Sequence, residues 1–262
     1  MEMIDFLDQV DKAAYARWER RGRIHGFDRQ DWLAAEASLR FEQTYRVVVR
    51  HRCGGDVSSI GNALRRRCRF CSQSAPRALF SDDVPIFEGC SSPLSLDQCD
   101  SCASAFSETI DRDLSQFLSG MSRAKGISIG AFKGLVKMAL AILPDADLDD
   151  HEDTVEWVTN PDHAFDFNVF RGLSSVIHTT AIPYPTAWCA VAEKIADDSP
   201  WPSRLFFLGN DRHCVTVPIP LNPRDEDLDL TGEILPDVAP PNPFGWECDP
   251  VATSRIPIVR ED

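Results

Sequence analysis

The sequence predicts an α+β protein: an N-terminal helical hairpin, a central cysteine-bearing unit with a helical extension, and a β-rich C-terminal region. Three observations predict it. Apolar residues recur at three- and four-residue steps near the N-terminus, two C-x-x-C pairs punctuate the middle, and runs rich in Val, Phe and Leu precede a proline-rich stretch. The chain has 262 residues, 43% hydrophobic and 26% charged, which is ample for a buried core and ordinary for a soluble globular protein. The expected divisions are a helical hairpin domain over 1–45, a cysteine-bearing domain with its helical extension over 46–160, a β-rich region over 161–220 and a proline-rich acidic tail over 221–262.

In the first division Met3, Phe6, Leu7, Val10, Ala14 and Trp18 share the spacing of one helical face. Gly22 and Gly26 bracket a turn. Asp28 reads as the N-cap of a second helix, with Asp31 three residues on as in a capping box. Phe27 and Trp32 stand where a hydrophobic staple would sit, and Trp32, Ala35 and Leu39 continue the stripe. Ala13 to Glu36 is similar to a small domain of unknown function that recurs in proteobacterial proteins. The similarity rests on Tyr15, Trp18, Gly22, Trp32, Ala35 and Glu36 and implies no chemistry. His25, in the turn, reads as a solvated loop histidine.

Residues 44–52, with three consecutive valines, read as a strand, and the turn-forming residues 53–62 follow. Arg65 to Arg67 form a short basic run. Further on, Ile129, Phe132, Val136, Ala139, Leu140 and Leu143 make a helix face that Pro144 stops. The acidic run Asp145 to Asp153 lacks the glycine and closing glutamate of a calcium loop and reads as solvated. A second helix through Val155 and Trp157 follows. Residues 186–195 and 204–221 read as strands, the latter a hairpin turning at Gly209, Asn210 and Asp211. Nine of the 18 prolines fall after residue 217, which predicts an extended tail.

Composition excludes several classes. No run approaches 18 apolar residues, so no membrane span is expected, and the acidic N-terminus lacks the basic start and apolar core of a secretory signal. A cytoplasmic protein with no membrane partner is expected. The net charge of −14 is uneven: residues 1–80 carry 15 Lys and Arg against 10 Asp and Glu, the remainder 12 against 31. An acidic chain binds polyanions poorly, although its basic front leaves room for local phosphate contact. There is no Walker A loop and no dinucleotide-binding glycine pattern. His151-Glu152-Asp153 is followed by Thr154 and Val155, so it makes no H-E-x-x-H zinc site. His163, His178 and His213 lie among apolar stretches, and no local signature marks Cys189 or Cys214 as a partner of His178 or His213.

The sharp signal is Cys68-x-x-Cys71 followed, 27 residues later, by Cys99-x-x-Cys102. Each knuckle turns two sulfurs toward one ion, and two knuckles complete the tetrahedral four-sulfur site that zinc favours. The ligands bind as thiolates, so the metal contributes to folding. A closed four-sulfur shell leaves no open position, so Zn²⁺ here is expected to be structural. Nothing nearby points to electron transfer, which ranks iron–sulfur below zinc. Cys53, Cys90, Cys189, Cys214 and Cys248 read as free thiols, Cys90 within the loop between the knuckles.

Around these residues the sequence resembles the zinc-stabilised HNH endonuclease family. The matching stretch is Cys68-Arg69-Phe70-Cys71, then Val84-Pro85 and Gly89, then Leu94 through Cys102, with the helix from Phe132 to Leu140 and Leu143-Pro144 as the extension. The resemblance covers about residues 65–160 and implies a ββα unit clamped by zinc. It also places the family's general-base histidine at Asp82, its loop asparagine at Cys90 and its terminal asparagine at Ala103. No histidine occurs between His51 and His151. An aspartate is a much weaker base at neutral pH, so catalysis is expected to be degenerate, with Asp82 and Asp83 the weak candidates. The expected function is a scaffold for a nucleic-acid or protein partner, with Arg65, Arg66, Arg67 and Arg69 as possible phosphate contacts. The alternative is an active metal-dependent endonuclease, either through a histidine supplied from outside the motif or through Mg²⁺ held at the aspartates alone.

Overall fold

The computed structural model describes residues 3–54, 59–62, 64–82, 84–87, 93–160, 174–195, 200–228, 235, 240–241, 243–246, 248 and 250–259. The chain opens with helices α1 (Met3–Arg20) and α2 (Asp28–Thr44), which pack on each other as expected. Their stripe is shallow: Val10 and Ala35 are buried, but Leu7 is 44% exposed. Polar cross-links do much of the joining. The Arg21 guanidinium forks onto the Asp31 carboxylate, Arg17 Nη2 donates to Ser38 Oγ at 2.9 Å, and Trp32 Nε1 donates to Asp11 Oδ1 at 2.8 Å. The expected capping box is therefore absent. Asp28 is already helical, Phe27 occupies the N-cap without a side-chain bond, and Asp31 is taken by Arg21. The turn at Gly22 (φ 78°) lets that arginine reach the first turn of α2, and Phe27 lies under it at 4.7 Å.

Strand β1 (Tyr45–Cys53) follows α2 without a loop. It borders a seven-stranded sheet that it forms with β4 (Ile127–Ser128), β5 (Ser174–Thr180), β6 (Ala187–Lys194), β7 (Arg204–Asn210), β8 (His213–Pro218) and β9 (Pro250–Val259). The order is β1-β6-β7-β8-β5-β9-β4, antiparallel throughout except for the short β9–β4 pair. The β7–β8 hairpin turns at Asp211 and Arg212, one residue later than expected, with Asp211 at φ 50°.

Successive residues of the central strands serve two cores, as a period of two requires. Cys189, Val191, Phe206, Leu208, Val215 and Val217 face the helices, while Trp188, Ala190, Ala192, Leu205, Phe207 and Cys214 face a second cluster with Phe41 and Tyr45 of the N-terminal segment. Burial on both faces explains the near-continuous apolar runs in β6 and β7.

The sheet crosses the divisions expected from sequence. Its strands come from residues 45–53, 127–128, 174–218 and 250–259. The stretch expected to be a loose tail supplies β9, in which Ile256 and Ile258 are buried. Pro257 is accommodated because β4 pairs only with Ile258 and Val259.

On the helical face lie α3 (Asp100–Ser107), α4 (Ile110–Gly120), α5 (Ile129–Ile142), the single turn α6 (Asp145–Leu148) and α7 (Glu152–Thr159). Helix α5 begins where Ser128 Oγ accepts the Ala131 N–H and ends before Pro144, as expected. The structure differs in that α5 is buried all round, from Gly130 to Ile142. One side meets the sheet and another meets α4, and Gly130 and Gly134 open the close approach to α4. Two lysines are thereby buried. Lys137 pairs with Asp111 at 2.7 Å, and Lys133 donates to the Asn160 carbonyl at 2.8 Å beside the Trp157 ring.

Candidate metal centre

The first knuckle is a tight reversal. Cys68 N–H donates to the Gln73 carbonyl at 2.7 Å, Ser72 N–H donates to the Cys68 carbonyl at 2.9 Å, and Ser72 adopts φ 58°. The second knuckle is the entry to α3: Cys99 is extended at the N-cap and Cys102 lies in the first turn, Ala103 N–H donating to the Cys99 carbonyl. Asp100 fastens the intervening chain, its N–H to the Leu79 carbonyl and its Oδ1 to the Ser81 N–H. Phe70 meets Phe106 edge-on at 5.0 Å beneath the site.

This folding brings the ligand atoms of Cys68, Cys71, Cys99 and Cys102 within 4.8 Å of one another. A tetrahedral zinc with Zn–S bonds of about 2.3 Å requires sulfurs roughly 3.8 Å apart; Cys71 Sγ and Cys99 Sγ are 3.7 Å apart. The donor set and its spacing therefore fit such an ion. The electrostatics agree. A hydrogen bond from the Cys102 thiol, more than any other cause, draws the Cys68 thiol down to about 5, whereas burial pushes Cys99 up to about 11. Cys102 is raised further by its bond to Cys68 and by burial. A single thiolate here opposes a second, and a dication at the centre removes that opposition. Among the described residues this is the one cluster of three or more metal-ligating side chains close enough to share an ion.

Extended chain lies between the knuckles. Ile86 N–H donates to the Pro93 carbonyl and Ser95 N–H to the Val84 carbonyl, which pairs 84–86 antiparallel with β3 (Leu94–Ser95); β2 (Ser59–Ile60) lies parallel on β3. The polypeptide then turns through Cys99 into α3.

The other expected site residues divide sharply. Asp82 is exposed, and among the described residues its one charged partner is Arg66, at 3.6 Å. Asp83 and Cys90 lie outside the described residues. Ala103 is in α3. Arg69, expected as a phosphate contact, is not available for one. Its side chain is 5% exposed; Nη1 donates to the Leu140 and Leu143 carbonyls at 2.6 and 2.8 Å, and Nη2 lies 3.4 Å from Asp97 and 3.0 Å from Asp145. It locks the first knuckle to the end of α5. Arg65 also pairs with Asp145. Arg67 is exposed with no side-chain partner among the described residues.

None of the described histidines bonds to this cluster. His151 is fully buried between Thr154 and Asn222, and His178 is buried beside Thr253. His213 meets Thr179, and exposed His25 lies tilted against the Trp18 ring, with centroids 5.5 Å apart. His163 lies outside the described residues. His178 is paired across strands with Cys214, but that thiol is sealed in the second core, which raises its pKa and keeps it protonated. Cys189 points to the opposite face of the sheet. Neither is an activated nucleophile.

The sequence reading missed what the acidic run does. Asp145 receives Arg65 and Arg69, Asp147 receives Arg204 at 3.0 Å, and Asp150 receives Arg224 at 3.7 Å. It is an arginine-receiving turn that joins the knuckle, β7 and the segment after β8. The charge excess was visible; its partners, 80 and 76 residues away for Asp145 and 57 for Asp147, were not.

A family model described as a protein of unknown function (DUF2934) matches residues 7–40, the helical hairpin. No characterised protein and no solved structure matches the chain. No helix among the described residues is long and apolar enough to cross a membrane.

Proposed function

We propose that this protein is a zinc-clamped scaffold of HNH-endonuclease type whose nuclease chemistry has been lost and whose fold serves to bind a macromolecular partner. The observation that carries the reading is the closure of four sulfurs from two knuckles within 4.8 Å, around an extended pair that runs into a helix. Cys68, Cys71, Cys99 and Cys102 would hold Zn²⁺ and complete its coordination, so its role there is to fix the knuckles rather than to activate water. Support for lost catalysis comes from the position that the resemblance assigns to the general base. Asp82 is exposed and paired with Arg66, with no described histidine bonded to it, and Ala103 replaces an amide side chain.

A supercoiled-plasmid nicking assay on zinc-loaded protein, with Mg²⁺ or Mn²⁺ added, tests this. No nicking above a protein-free control is expected, together with one zinc per chain. Nicking that disappears in Asp82→Ala would overturn the proposal and make that carboxylate part of a working site.

A further inference from the structure

Between the first knuckle and the α6–α7 segment lies a cleft of about 750 Å³, within the range of ligand pockets. Phe70, Leu148 and Val155 give it an apolar lining. Its α6–α7 wall presents the carboxylates of Asp145, Asp149, Glu152 and Glu156 interleaved with Ala146, Leu148 and Val155, of which Glu152, Val155 and Glu156 stand at the three- and four-residue spacing of one face of α7. The opposite wall carries Arg65, Arg67 and Arg69.

The ion pairs decide what this cleft attracts. Arg65 and Arg69 are consumed at its base by Asp145 and Asp97. What remains unpaired among the described residues is one guanidinium, Arg67, against three exposed carboxylates, Asp149, Glu152 and Glu156. Like charges at three- and four-residue spacing repel one another, and a cation laid along them relieves that repulsion. The same segment already receives four arginines from this chain on three other carboxylates, Asp145, Asp147 and Asp150, so guanidinium and ammonium groups are ligands it is built to hold.

We infer that the cleft is a docking groove for a basic amphipathic peptide segment of a partner protein, its Lys or Arg side chains on Asp149, Glu152 and Glu156 and its apolar side chains on Leu148, Val155 and Phe70. The inference rests on the scaffold reading above and narrows the partner from nucleic acid or protein to a cationic protein segment. A phosphate backbone meets a surplus of negative charge here.

The test uses the full zinc-loaded chain and two fluorescent probes: a 14-residue helical peptide of Lys and Leu at three- and four-residue spacing, and a short DNA duplex. Anisotropy titration is expected to show salt-sensitive peptide binding that weakens about tenfold in the triple variant Asp149→Asn, Glu152→Gln, Glu156→Gln and tightens in Arg67→Glu. Circular dichroism on each variant confirms folding. Peptide affinity that ignores both variants would refute the inference. So would duplex binding that exceeds peptide binding and strengthens in the triple variant. Zinc content on the same samples separates the two proposals. A chain that holds one zinc but fails with the peptide refutes the groove alone, while a chain that takes up no zinc refutes the scaffold.

Discussion

Arg69 sits between the two cysteines of the first knuckle, yet its guanidinium is held by the protein interior. One nitrogen caps two carbonyls at the end of α5 and another lies between Asp97 and Asp145. Asp97 in turn accepts the Asn62 N–H at 3.0 Å. Removing the guanidinium leaves a buried carboxylate and two helix-end carbonyls without it. Arg69→Ala is accordingly expected to cost about 3 kcal/mol in urea denaturation, and Arg69→Lys to recover only part, because an ammonium cannot fork. An unchanged midpoint would contradict this role. The C-R-x-C motif was legible in the sequence, but the direction of its arginine was not, since its partners lie up to 76 residues away.

The buried histidines set a pH dependence at the same scale. Burial holds His151 and His178 down to about 4, and Arg255 adds to the effect at His178. In the unfolded chain each titrates near 6.5, so below that pH the unfolded state binds more protons. Stability that is full above pH 6.5 is lost as pH falls and levels off below about 4, each histidine contributing about 3 kcal/mol. Urea titrations at pH 7 and pH 4.5 measure the slope, and His178→Gln is expected to flatten it. Equal stability at the two pH values would mean that these rings are protonated without penalty.

Among the elements, α5 shows where periodicity misleads. Its expected apolar face is real, but the helix is sandwiched between α4 and the sheet, and Lys133 and Lys137 are buried with partners. Lysine ordinarily marks a solvated face, so the burial of both is not legible from the pattern. The α4 contact yields a prediction with opposite signs. A Cβ on Gly134 would meet Leu114 Cβ at 2.8 Å and the Ile110 carbonyl at 2.9 Å, neither of which can move aside without shifting α4. A Cβ on Gly130 would meet the Asp113 side chain alone among its three nearest atoms: the carboxylate, which can turn away, and Cβ at 3.1 Å, a tight contact that needs a smaller shift. Gly134→Ala is therefore expected to destabilise by roughly 2 kcal/mol, whereas Gly130→Ala is neutral or gains from its helix propensity. Thermal melts of the two variants check the contrast; equal shifts would contradict it. The hairpin α1–α2 was legible as two helices, but its cap was not, because Arg21 competes for the same carboxylate.

Taken whole, the molecule is organised by its sheet more than by successive domains. Strands β6, β7 and β8 announce themselves as apolar runs, since both of their faces are covered. Strand β9 does not: its residues from Val251 to Ser254 are exposed and two prolines frame it. It owes its strand conformation to seven register pairs with β5, which no local pattern reveals. Truncation after residue 249 is expected to abolish the cooperative melt by baring the β5 edge that β9 covers and by removing Ile256 and Ile258 from the core. A truncated chain that melts like the full one would show that β9 is dispensable. At this scale the four cysteines were the most legible feature of all, because ligand spacing is local within each knuckle even when the knuckles lie 27 residues apart.

Zinc K-edge X-ray absorption on the purified protein tests whether these four sulfurs alone complete a metal shell. Four sulfur neighbours at about 2.3 Å and no light-atom ligand are expected. A nitrogen or oxygen in the first coordination sphere would contradict that closure, because it would mark an open position at which the metal can act on water.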